Sequence, residues 1–133
     1  MISDLMLRLS QRPEVREAFL SNAAATELVA RYVAGETASS ALGVAATLEE
    51  HGLDVLLAPI GSESPSREQI HQHVDLCHET VAAARAHQGI ALTPLLFGLG
   101  HGLAGARVLV REVVRAAADK GLPVILDMGP GEV

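Results

Sequence analysis

Tryptophan is absent, and aromatics are 2% of the 133 residues: Phe19, Tyr32 and Phe97. A site that stacks a flat ring or a nucleobase has little here to stack it on. The single cysteine, Cys77, excludes a disulfide within the chain and fits a reducing cytosol. Basic side chains are scarce, ten against sixteen acidic ones, for a formal net charge of −6. The basic stripe of a nucleic-acid binder is therefore missing. Lysine is scarcer still: Lys120 is the one candidate for amine catalysis, and every other basic residue is arginine. It falls at an expected helix end, where a cation favours the helix dipole. No apolar run reaches the ~18 residues of a membrane span, and the first ten residues do not read as a signal peptide. What is present is an apolar fraction of 49%, enough for one domain with a buried core. These features point to a soluble, acidic, cytoplasmic domain.

The first third reads as helix. Arg12-Pro13-Glu14 opens a short one, with proline in its first turn. Thr26 to Val33 is a second, broken by Gly35-Glu36-Thr37. Thr37 caps a third, which runs to about His51 and is ended by Gly52. The period then changes. Residues 53–60 form a continuous apolar run of strand length, as in parallel sheets buried on both faces. Gly61-Ser62-Glu63-Ser64-Pro65 is a loop, and Ser66 with Glu68 and Gln69 starts a helix to about Gln88. Ile70, Val74, Cys77, Val81 and Ala84 form its apolar stripe. A second strand is expected over Ile90–Phe97. A helix over Leu103–Lys120 turns Leu103, Ala106, Val110, Val113, Val114 and Ala117 inward, and a third strand covers Leu122–Asp127. Helices followed by βαβαβ make this an α/β chain with three parallel strands and right-handed crossovers. The expected organisation is a single domain over 1–133: a helical part at 1–52, the βαβαβ part at 53–128 and a tail at 129–133.

Four groups of residues carry candidate chemistry. Gly100-His101-Gly102-Leu103-Ala104-Gly105 matches G-x-G-x-x-G, follows a strand and opens a helix, with Asp127 at the end of the next strand. In a dinucleotide site such glycines admit a pyrophosphate and such an acid holds a ribose hydroxyl, so Gly100, Gly102, Gly105 and Asp127 form an NAD(P)-binding alternative. The longer turn before the first glycine makes a plain βα turn the simpler reading. His71, Asp75 and His78 share one helix face, and His73 with Cys77 forms another i, i+4 pair. That spacing suits zinc, but Cys77 lies on the apolar stripe and the His71 face reads as solvated, so no metal is expected. Asp127 alone sits where β/α folds place catalytic groups. The loop Gly61–Ser64 offers hydroxyls and a carboxylate to a polar small molecule or a phosphate, and reads more simply as a connection.

Taken in order, these segments resemble a known family. Arg31-Tyr32-Val33-Ala34-Gly35-Glu36-Thr37, then a helix, then Gly52-Leu53 and a strand closing in Ile60-Gly61, is similar to the start of bacterial monofunctional proline dehydrogenases. Met6-Leu7-Arg8 and Pro13-Glu14-Val15-Arg16 fit the same helical region. Val113-Val114-Arg115-Ala116-Ala117 and Val124-Ile125-Leu126-Asp127-Met128 resemble that family's later helix and strand. The resemblance implies a TIM-like (β/α) barrel that binds FAD and oxidises L-proline to Δ1-pyrroline-5-carboxylate. Such a barrel takes about 250 residues, so this chain matches a partial barrel, up to the third strand. It also implies which polar groups have gone. Where the family carries an aspartate and a glutamate after its first strand, this chain has Ala58 and Ser62. The family's flavin-proximal lysine matches Leu95, and its glutamate after Asp-Met matches Gly129. Asp127 is the retained catalytic candidate.

Three readings follow. One is a proline-dehydrogenase-like chain inactive by itself, which works only with a complementary half-barrel chain. Another is a non-catalytic scaffold that forms a homo-oligomer or binds a partner across its open sheet. The third is the NAD(P)-binding βαβ unit.

Overall fold

The computed structural model describes residues 21–62 and 65–127. The expected helix opening at Arg12, Phe19, Glu63, Ser64, Met128 and Gly129 lie outside the described residues. The chain divides into two compact units, Met1–Glu36 and Thr37–Val133. In the first, helix α1 spans Ala23–Tyr32, and Tyr32 stands exposed at its end. The division between the units falls before the second described helix. That helix, α2 (Ala38–Glu50), buries Ala45 completely and packs on the strand that follows it, so it belongs with the sheet.

Capping sets the helix starts as the sequence predicts. Thr37 Oγ1 accepts from Ser40 N at 3.2 Å, and Ser40 Oγ returns the contact by accepting from Thr37 N at 3.2 Å. Helix α3 (Arg67–Ala83) begins the same way: Ser66 Oγ accepts from Gln69 N, and Gln69 Oε1 accepts from Ser66 N at 2.8 Å. It ends five residues before the expected Gln88, because Gln88 is otherwise engaged. Its side chain is fully buried, accepts from Arg85 N at 2.9 Å and donates to Glu49 Oε1 at 2.9 Å. Lys120 closes that end. Its Nζ donates to the carbonyls of Val81, Ala82 and Ala84 at 2.9, 2.6 and 3.0 Å. The chain's one lysine thus satisfies the free carbonyls of α3, the neighbouring helix.

The sheet is parallel and open, in the order β1 (Val55–Leu57), β2 (Gln88–Leu92), β3 (Val124–Leu126). Its topology is the expected βαβαβ, with α3 and α4 (Leu103–Asp119) as crossovers. Each strand is shorter than its apolar run. Pro59, Pro94 and Pro123 lie in those runs, and proline has no N–H to give to a ladder. Pro94 instead opens a 3₁₀ turn, Pro94–Phe97, and a second follows at Leu99–His101.

Register divides the side chains between two faces. Leu57, Ile90 and Val124 pair across the sheet, so they share a face with Val55, Gln88 and Leu92. That face carries the core: Leu57, Ile90 and Leu92 are buried with Val74, Cys77 and Val81 of α3 and Ala106, Val113 and Ala117 of α4. Leu103, expected to point inward, is 69% exposed: it is the first residue of the helix, and the buried stretch of α4 begins only at Ala106. The other face holds Leu56, Gly89, Ala91 and Ile125. It is equally apolar, yet Leu56 is 44% and Ile125 52% exposed. Leu56 leans across Gly89, where a Cβ would meet its Cδ1 at 2.8 Å.

Candidate functional site

The C-terminal edge of the sheet is set by the first residue after each strand: Ala58, Thr93 and Asp127. Asp127 is exposed, and its N–H extends the ladder to Leu92 O at 2.9 Å. This places it beside Thr93, at the edge where β/α folds hold their chemistry. The half-buried Leu95, matched above to the lysine of a strand, lies instead in the 3₁₀ turn. The position following β2 is therefore Thr93, which the sequence reasoning missed because the apolar run continued through the proline. The signal available for it was Thr93-Pro94 itself, an extended dipeptide that ends a strand.

Neither Ala58, Thr93 nor Leu95 carries a charge. The residues at these positions therefore do not fit a flavin: they supply no cation to stabilise the negative charge of its reduced ring. Phe97, the nearby aromatic, is 1% exposed and closed off in the core.

The glycine motif takes a different shape from a dinucleotide fingerprint. Residues 93–102 separate β2 from α4 and fold into the two 3₁₀ turns. Gly100 sits in the second turn, Gly102 is the N-cap of α4 at φ 147°, and Gly105 lies in the helix's first turn. A pyrophosphate site needs the strand to lead directly into the helix, and its third glycine to pack against the strand. A Cβ on Gly100, Gly102 or Gly105 would meet nothing within 4 Å. Gly102 and Gly105 border a cleft of about 430 Å³ with Arg67, His71 and His101, and Asp127 is not part of it. The structure does not bring the glycines and the acid together there.

The histidines of α3 separate into two environments. His71 and Asp75 are exposed, and His78 Nε2 lies 3.9 Å from the Glu112 carboxylate. Among the described residues no group of three or more His, Cys, Asp or Glu is arranged to hold a metal. His73 and Cys77 lie inside. Cys77 Sγ is 3.6 Å from His73 Nε2, and the His73 ring meets Phe97 edge-on at 5.0 Å. Burial pushes the Cys77 thiol up to about 12 and lowers the His73 imidazole from its ordinary value. Both are therefore uncharged near neutral pH, and the thiol is no nucleophile.

His73 also borders a cleft of about 230 Å³ beside the loop after β1. His101 Nε2 bonds to the Pro65 carbonyl at 2.8 Å, tying the second 3₁₀ turn to the residue before the N-cap of α3. No protein-family model matches the chain, and no curated protein matches it.

Proposed function

We propose that this chain is a proline-dehydrogenase-like scaffold that acts by association, and that it does not oxidise proline by itself. The observation that carries this reading is the second face of the sheet. A parallel sheet is stable when both faces are covered, and this one exposes Leu56 and Ile125 on an apolar face beside Ala91. The face offers neither charge nor side-chain hydrogen bond. It suits apolar packing against the same face of a second copy, a two-fold contact in which each residue meets its counterpart. The strand ends support the other half of the reading. Ala58 and Thr93 have no acid–base or cationic chemistry at neutral pH, so Asp127 is the one ionisable residue of these three strand-end positions. The NAD(P) alternative has no comparable support.

Ile125→Asp tests the face. Its side chain is half exposed, so the fold persists, and the charge cannot be buried unpaired in an interface. The variant is expected to sediment as a monomer with the thermal midpoint of its own fold retained. An unchanged assembly state would remove this face from the account. In parallel, the chain incubated with FAD and desalted is expected to retain no visible flavin band. A retained band with proline-dependent dye reduction would restore catalysis by this chain alone.

A further inference from the structure

Beyond association, the cleft beside His73 has the features of a ligand site. It lies between the loop after β1 and α3, at the C-terminal end of the sheet. Ile60, Pro65, Leu76 and Leu96 make its walls apolar. Ser62, Gln69 and Gln72 add neutral polar groups, and none of the described lining residues carries a formal charge.

One group in it stands out. His73 is 8% exposed, and its Nε2 is engaged by Cys77. Its Nδ1 has no partner among the described residues, although no fully buried side-chain nitrogen or oxygen there lacks one. Nδ1 is therefore open to the cleft. Gly61 lines the cleft beside it: a Cβ there would sit in ordinary contact, 3.5 Å from Nδ1 and 3.4 Å from Leu96, and a larger side chain would reach over Nδ1. The tautomer follows from the partner. A thiol is the weaker acceptor and imidazole nitrogen the stronger, so Cys77 S–H donates to Nε2 and the ring proton resides on Nδ1.

We infer that this cleft binds a small uncharged molecule with an apolar body and one hydrogen-bond acceptor, such as a short aliphatic amide, which accepts from His73 Nδ1–H. A carboxylate would lose its hydration without meeting a cation, and an ammonium would meet a donor instead of an acceptor. The Phe97 edge and the Cys77 bond hold the ring in one orientation, so little side-chain freedom is lost on binding.

The test uses the isotope-labelled full chain and the imidazole resonances of His73, assigned by their proximity to the Phe97 ring protons. Isobutyramide is the probe, with isobutyrate and isobutylammonium as charged isosteres. The expected result is a free protein protonated at Nδ1, whose resonance shifts saturably with isobutyramide and with neither ion. Gly61→Val places methyl groups against Nδ1 from an exposed loop. It is expected to weaken isobutyramide by at least about tenfold while leaving the melting temperature in place. Protonation at Nε2, no saturable response to isobutyramide, an equal response to isobutyrate, or undiminished binding by Gly61→Val would each overturn the assignment.

Discussion

Phe97→Ala is expected to lower the unfolding free energy by about 3–5 kcal/mol. Phe97 is 1% exposed and is among the largest side chains wholly enclosed by this fold. It hangs from the 3₁₀ turn after β2 and reaches the buried cluster shared by α3 and α4, with its ring against His73 at 5.0 Å. Truncation leaves a cavity where the turn, the sheet edge and α3 meet. A domain of this size has a total stability of roughly 5–15 kcal/mol, so the loss is a large fraction of it. Urea unfolding followed by circular dichroism measures it directly. A loss below about 1 kcal/mol would mean that Phe97 faces solvent, and that the turn is folded differently.

The second large effect is at Gly98, which joins the two 3₁₀ turns. Its φ is +81°, and its N–H and C=O serve both turns, bonding Leu95 O at 3.1 Å and accepting from His101 N at 2.8 Å. A Cβ there would approach Ile70 Cδ1 to 2.6 Å. Gly98→Val therefore carries about 1–2 kcal/mol for the left-handed backbone. It carries about 1–3 kcal/mol more for intrusion on Ile70 in the start of α3. Gly100→Ala is the matching control. Its Cβ meets nothing and its φ is not positive, so it is expected to be neutral or slightly stabilising, by up to about 1 kcal/mol. The difference between the two is read from denaturation midpoints at equal slope. Equal effects would show that the connection is not held in these turns.

The parallel βαβαβ order was legible in the sequence because apolar runs of strand length alternate with stripes of helical period. Thr37 and Ser66 marked helix starts for a local reason, reciprocal capping three residues apart, which needs no knowledge of the rest of the fold. Strand ends were less legible. The run from Ile90 to Phe97 is apolar on both sides of Thr93-Pro94, and hydrophobicity alone does not distinguish the strand to Leu92 from the 3₁₀ turn that buries Leu96 and Phe97. That mistake moved the edge position from Thr93 to Leu95. The roles of Gln88 and Lys120 were out of reach because both depend on partners 36 to 39 residues away.

The candidate site divides in the same way. Asp127 could be placed at a strand end by counting, and it is there. The spacing of Gly100, Gly102 and Gly105 suggested a pyrophosphate cradle, but spacing does not report whether the strand leads straight into the helix. His73 and Cys77 were recognisable as an i, i+4 pair. Their enclosure, and with it an uncharged pair in place of metal ligands, comes from Phe97 and the sheet above them.

The most direct test of the account is sedimentation equilibrium of the unmodified chain over a wide concentration range. Self-association through the apolar face predicts a mass that rises to twice the chain mass of 13.9 kDa. A single monomer mass at every concentration would contradict the account, leaving Leu56 and Ile125 as scattered surface residues with no partner to explain them.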